Sequence, residues 1–278
     1  MSKLLLQFGN TRMEVEGADD LVTREREAIR AWLDELTRRT EENKDAPAAE
    51  VDKPKAEIRE AVSTDSLCRM RQVHSGHIYP LLLKRRKEEG RLDEIINVGT
   101  EIDIPLTCGG TVTVVCGHVE PAFARFVFKD CWDVCEMNDE PTNKTGYYKS
   151  KGRRHVLEEI YPLIAPEWKE IIAPRAMVET IDGEQVKYAD PMWLPSATDV
   201  FGTPENAWWK DEGDDFQLPI FQSERDRVKE CGDNGTYYWW LRSVYASSTS
   251  YFCFVNTSGE ADNYYAYNSY GFAPGFDI

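Results

Sequence analysis

The side chains of this chain best suited to covalent or metal chemistry are its seven cysteines and four histidines, and their spacing organises neither kind of site. The cysteines stand at 68, 108, 116, 131, 135, 231 and 253, an odd number at irregular intervals, so no disulfide framework is expected. Cys131 and Cys135 would share one face of a helix, with His118 close in sequence, but a zinc site lacks its second ligand pair. Buried structural thiols are the simpler reading. His74 and His77 have no HExxH context, and GxSxG, Walker and GxGxxG patterns are absent. The acidic run KDEGDDF at 210–216 lacks the alternating ligands and glycine of a calcium loop and reads as a solvated segment. No cofactor, metal or catalytic residue is expected, and the chemistry left to the chain is binding.

Binding chemistry is concentrated near the C-terminus. In TYYWWLRS, residues 236–243, four consecutive large aromatics are too bulky to be exposed together, and strand alternation would bury one of each pair and leave the other at a rim. A central core strand is the favoured reading, a sugar-stacking platform the alternative. Residues 244–270 then hold six of the thirteen tyrosines, five serines, three asparagines and two threonines, with no Lys or Arg. Antibody paratopes share that composition, because tyrosine gives amphipathic contact area with few rotors to freeze and Ser and Asn adapt their hydrogen bonds. Phe252, Cys253, Val255, Gly259, Ala261, Ala266 and Gly271 interleave with them as a folding frame.

The elements that must position these residues are mixed. LVTREREAIRAWLDELTRRTEEN, 21–43, reads as a helix with Val22, Ile29 and Leu36 seven apart. That seam is either a short coiled coil joining copies of the chain or a face packed on its own domain. A proline- and charge-rich linker follows, then a second helical stretch over about 64–92 with Pro80 as a break. IINVGTEIDIPL and GGTVTVVCGH read as strand, turn, strand, and ARFVFKDCWDV as a third strand. HVLEEIYPLI reads as a short amphipathic helix, PEWKEIIAPRAMVET as helix then strand, and the chain from Trp193 onward as short aromatic-rich segments.

Length and composition bound the function. At 278 residues, 41% hydrophobic and 12% aromatic, the chain suits one large globular domain with an appendage. The net charge of −16 disfavours a nucleic-acid binder. No apolar run reaches membrane-span length, and the first residues do not form a secretory h-region, so synthesis in the cytoplasm without a signal peptide is expected.

WWLRS at 239–243, FCFVNTSG at 252–259, the segment Ala261 to Tyr270 and the closing GFAPGFDI at 271–278 resemble the variable proteins of diversity-generating retroelements of bacteria and phages. VGTEIDIPL, IIAPRAMV and MWLPSATDVFG extend a looser likeness over about 94–278. The resemblance implies an α+β class with a C-type-lectin-like (formylglycine-generating-enzyme-like) fold, here preceded by an N-terminal helical region. It also implies a mechanism in which template adenines are miscopied, so that AAC or AAT codons drift to Asn, Tyr, Ser, Asp, Phe and others, never to Lys, Glu, Gln, Trp or Met. Tyr245, Ser248, Tyr251, Phe254, Asp262, Asn263, Tyr264, Tyr265, Tyr267, Asn268, Tyr270 and Phe272 all obey that rule and are the expected ligand-binding residues; Glu260 does not and is taken as fixed.

The expectation is a non-enzymatic ligand- or receptor-binding protein, phage- or bacterium-encoded, displayed on a virion tail or cell surface. Its domains are a helical segment 1–47, a linker 48–62 and a ligand-binding domain 63–278 with its variable region at about 244–272. Its partner is a protein or other surface molecule, with a homo-oligomer through the N-terminal helix, no nucleic acid and no membrane span. The alternatives are a formylglycine-generating-type oxidase, for which Cys231 and Cys253 are the candidate cysteines, and a structural virion protein with a fixed contact.

Overall fold

The computed structural model describes residues 2–8, 11–17, 78–203, 208–209 and 216–278. The chain divides into two compact units, Met1–Val73 and His74–Ile278. The helix expected over 21–43, the linker over 48–62, His74, His77 and the acidic run before Phe216 lie outside the described residues.

In the first unit, β1 (Ser2–Phe8) pairs antiparallel with β2 (Thr11–Gly17), from Ser2 opposite Gly17 to Phe8 opposite Thr11. The two residues between the strands, Gly9-Asn10, have the sequence of a tight hairpin turn. The α+β, C-type-lectin-like expectation with an N-terminal helical region is therefore corrected: strand exceeds helix, 38% to 23%, helices are sparse, and the N-terminal residues described are strands. The physical reason is local. Most helical pieces in the second unit span three to six residues, too few to persist without tertiary packing, whereas the β-branched runs between Glu101 and Phe128 pair with one another as consecutive antiparallel strands.

The second unit opens with α1 (Ile78–Glu88), which contains Pro80 without ending at it. A four-stranded sheet follows, ordered β15-β5-β4-β3, from β3 (Glu101–Pro105), β4 (Thr111–Glu120), β5 (Phe123–Phe128) and the C-terminal β15 (Gly275–Asp277). A five-stranded sheet, ordered β13-β12-β11-β14-β6, is built from β6 (Asp133–Glu136), β11 (Trp239–Val244), β12 (Tyr251–Val255), β13 (Ala261–Tyr265) and β14 (Ser269–Phe272). Two short ladders, β7 (Arg175–Ile181) with β8 (Glu184–Asp190) and β9 (Lys229–Glu230) with β10 (Thr236–Tyr237), complete the strands. Between β6 and β7, α2 (Lys151–Arg154) runs into a π-turn over His155–Ile160 and a 3-10 turn, and α3 (Pro166–Lys169) follows.

All six residues of β11 are buried, so the Trp pair does not split between core and rim as alternation would have it. Antiparallel β12 on one side and parallel β14 on the other cover its edges, and layers on both faces remove the polar side that alternation requires. Trp239 is anchored by its indole N–H, which donates to the Arg227 carbonyl at 2.8 Å, and Trp240 donates to the Cys135 carbonyl at 3.1 Å.

The closing residues 271–278 are all buried and pass from the five-stranded sheet to the four-stranded one: Gly271 and Phe272 end β14, and Gly275 begins β15. Charged pairs hold the four-stranded sheet and the start of the β7–β8 ladder. Arg125 donates bidentately to Asp277 at 2.9 and 3.0 Å. Arg175 does the same to Asp199, at 2.9 Å twice, and lies 4.3 Å above the Trp193 ring. Asp199 also caps α4 (Ala197–Phe201) through the Ser196 N–H. Trp239→Ala is expected to cost roughly 3–5 kcal/mol by emptying a closed site. An unchanged urea midpoint would remove Trp239 from the core.

Candidate ligand-binding face

The β12–β13 hairpin owes its register to its turn. Asn256 Oδ1 accepts the N–H groups of Ser258 at 2.9 Å and Glu260 at 3.0 Å, and Gly259 closes back to the Asn256 carbonyl at 3.0 Å. Gly259 has φ +85 and lies against the Glu224 backbone at the start of α5 (Glu224–Arg227), so only glycine fits there. Asn256 Nδ2 also donates to Glu260 at 3.2 Å, which gives Glu260 a part in the turn. On the far side of the hairpin Asp262 accepts the Asn263 N–H at 2.7 Å, and Asn268 donates to the Tyr265 carbonyl at 3.0 Å, occupying two backbone groups beside the free edge.

The loop from Tyr245 to Ser250 is clamped by a residue that the sequence did not point to. Asn143, 2% exposed, donates through Nδ2 to the carbonyls of Ser248 at 2.8 Å and Tyr251 at 2.6 Å, while its own N–H reaches the Thr249 carbonyl at 2.9 Å. The separation of more than a hundred residues hides that clamp from any local pattern. Trp208 is a second unforeseen member. Its carbonyl accepts from Ala246, and its ring lies edge-on to Tyr245 at 6.2 Å.

From Trp208 the aromatic contacts run without a break. Tyr245 stacks on Tyr251 at 6.3 Å, and Tyr251 meets Tyr265 edge-on at 4.6 Å and Tyr264 at 6.3 Å. Tyr265 stacks on Tyr267 at 5.3 Å, and Tyr264 leads to Tyr270 at 6.5 Å. Tyr270 is the junction with the core, touching Trp240 at 4.6 Å, Phe254 at 4.8 Å and Tyr238 at 5.2 Å, and Tyr237 at 6.4 Å. Burial pushes the Tyr270 hydroxyl up to about 12, so it stays a neutral donor. The Tyr265 hydrogen bond raises Tyr251 in the same direction.

The twelve expected binding residues therefore divide. Asp262, Tyr264 and Tyr267 are exposed, the two rings at 43% and 46%; Tyr245, Ser248, Tyr251, Asn263, Tyr265, Asn268 and Tyr270 are half-buried around them. Phe254 and Phe272 are buried, at 3% and 0%, and support the face from beneath.

Two features under β14 were not foreseen. Cys131 and Cys231 form a disulfide with Cα atoms 4.8 Å apart, correcting the expectation that the cysteines would stay unpaired. Cys135, on β6, is a strand residue and not the helical neighbour of Cys131. The candidate oxidase pair is not assembled either, since Cys231 is bonded to Cys131 and Cys253 is buried on β12 outside that disulfide. Among the described residues no cluster of three or more His, Cys, Asp or Glu is placed to hold a metal. The disulfide lies where a side chain at position 271 would project: a Cβ there would meet both sulfurs, and the Cys131 Cβ at 3.0 Å. Gly271 meanwhile donates its N–H to the Tyr238 carbonyl at 2.8 Å, tying β14 to the strand beside it.

His155 braces the same end of β14 at the next residue. Its Nε2 lies 2.9 and 3.0 Å from the Asp133 carboxylate oxygens, Nδ1 is 3.2 Å from Glu159, and the ring meets Phe272 edge-on at 5.2 Å. The Asp133 hydrogen bond outweighs burial and raises the imidazole above its ordinary 6.5.

Residues 124–278, more than half of the chain, match the family described as a domain of unknown function, DUF6273, and the chain belongs to that family. No curated protein and no solved structure matches it. The matched span contains the whole aromatic face, Asn143, His155 and both bridged cysteines.

Gly271→Ala is expected to lower the urea midpoint more in the native background than in Cys131→Ala/Cys231→Ala, where the obstructing sulfurs are gone. Equal losses in both would place the collision elsewhere. For His155, the raised folded-state value means its contribution is whole below about 6.5 and disappears as pH rises through that folded value. The melting temperature should fall more steeply between about pH 6 and 8 in the native protein than in His155→Gln. Parallel pH profiles would assign the effect to another group.

Proposed function

For this member of the DUF6273 family we propose a non-enzymatic binding function, in which the C-terminal unit holds a protein or other surface molecule on a tyrosine-dominated face. The face is diversified as in the variable proteins of retroelements, and the carrier is a phage or its bacterial host. The observation that supports this most is the division of labour within one short stretch. Between Tyr245 and Tyr270 the rings form one connected layer, grounded in the buried Trp240 and Phe254 and ending in exposed Tyr264 and Tyr267. A layer of that kind tolerates changes at its outer members while the frame beneath stays constant, which is what a repeatedly altered binding surface needs. Glu260, the residue that adenine miscopying cannot produce, is engaged by the turn and has a structural reason to be constant.

The deciding experiment is deep sequencing of the gene's 3′ end in its source population. Differences concentrated at the ten surface-accessible positions between codons 245 and 270, each traceable to a template adenine, are expected, with Asn256, Gly259, Glu260 and Gly271 unchanged. Even variation along the gene, or none in this stretch, would overturn the diversified reading. Invariance would leave a fixed contact surface in its place.

A further inference from the structure

The aromatic face differs from the rest of its unit in carrying no cation. Elsewhere the unit's rings are paired with positive charge: Arg175 and Arg125 over Trp193, Arg153 over Tyr148 and Tyr188, Lys169 over Tyr161, Arg227 over Phe201, and Lys229 over Trp239. Among the described residues, none is stacked on Tyr237, Tyr238, Tyr245, Tyr251, Tyr264, Tyr265, Tyr267 or Tyr270, and residues 243–278 contain no Lys or Arg.

The charge on the hairpin itself has the opposite sign. Glu260 and Asp262 are exposed on the hairpin that carries Tyr264, and exposed Glu224 adjoins Gly259 at the same end. The basic groups nearby are occupied or stacked on no ring. Lys151 is held by Glu136 at 2.9 Å and Asp139 at 2.7 Å, and Arg227 donates to the Phe221 and Gly259 carbonyls. Lys144, beside Asn143, is exposed and stacks on no ring. Aromatic faces attract cations through their quadrupole, carboxylates at the rim add a Coulombic pull, and the net charge of −16 favours approach of a basic partner.

We propose that this face takes a basic polypeptide segment, seating guanidinium or ammonium groups on Tyr264 and Tyr267 with Asp262 and Glu260 as flanking counter-charges. The proposal rests on the binding-face reading and adds the chemistry of its partner. Planar guanidinium suits the stacked Tyr265–Tyr267 pair better than ammonium does, so arginine is the favoured contact.

The probe is an end-capped hexaarginine peptide, titrated calorimetrically at physiological salt against hexaglutamate as the control. Three variants separate the contributions, and their melting temperatures confirm folding. Tyr264→Phe/Tyr267→Phe keeps the rings and should retain hexaarginine affinity within about twofold. Tyr264→Ala/Tyr267→Ala leaves the net charge untouched and should weaken it about tenfold. Asp262→Asn keeps an acceptor for Asn263 and should weaken it about two- to threefold, with a shallower salt dependence. Equal hexaarginine binding to the Ala variant, hexaglutamate binding as tight as hexaarginine, or no hexaarginine binding would each overturn the proposal. If the Ala variant does not fold, the Asp262→Asn titration decides, an unchanged affinity counting against it. Sequencing decides the other question independently. Concentrated variation without hexaarginine binding removes the basic partner and leaves a diversified binder. Ring-dependent hexaarginine binding with even variation does the reverse.

Discussion

Asp199 is a carboxylate at the centre of the second unit, 1% exposed, and the architecture follows from keeping it ionised there. Burial alone would raise its pKa; the Arg175 guanidinium, with Arg242 and Arg125 behind it, more than reverses that and holds it well below the ordinary range. Each arginine comes from a different strand: Arg125 from β5, Arg175 from β7, and Arg242 from the middle of β11. One charge thus couples the four-stranded sheet, the β7–β8 ladder and the five-stranded sheet. Removing one side of such a group would strand the other, at a cost of about 3–5 kcal/mol. Arg125 extends the coupling to the C-terminus by clasping Asp277.

That clasp is one of several ties on the closing strand: β15 pairs with β5, Ile278 exchanges hydrogen bonds with Ala124, and Gly275 does the same with Trp193. β14 is then held from below by the Cys131–Cys231 disulfide and from its flank by β6, with His155 at Phe272. The tyrosines that follow outward are attached to a support whose position is set several times over. Side chains at the rim can change without disturbing the strands, whereas the buried Phe254 and Phe272 cannot, although the same codons would produce them.

Some of this was legible in the residues. The strand character of 95–106, 109–118 and 236–243, the paratope-like composition of 244–270 and the framing role of the closing segment follow from side-chain volume, β-branching and rotamer entropy, which act locally. The N-terminal hairpin departs from the helical segment expected over 1–47, whose heptad-spaced residues lie at 21–43. The burial of both members of the Trp239–Trp240 pair was not legible, because alternation describes a sheet with one wet face and β11 has none.

What the sequence by itself determined about this protein is which stretch has a paratope-like composition: many tyrosines, no cations, an acidic balance. Those properties belong to the side chains and survive any arrangement of the strands. What only the tertiary structure decided is which of them face outward and what holds them. Asn143 reaches the Ser248 and Tyr251 carbonyls, and Cys131 reaches Cys231, across about a hundred residues or more, and Trp208 joins the ring layer from a separate segment. Pairings of that range leave no periodicity in the chain, because the contact is made by the closing of two sheets and not by any local preference of the residues that meet.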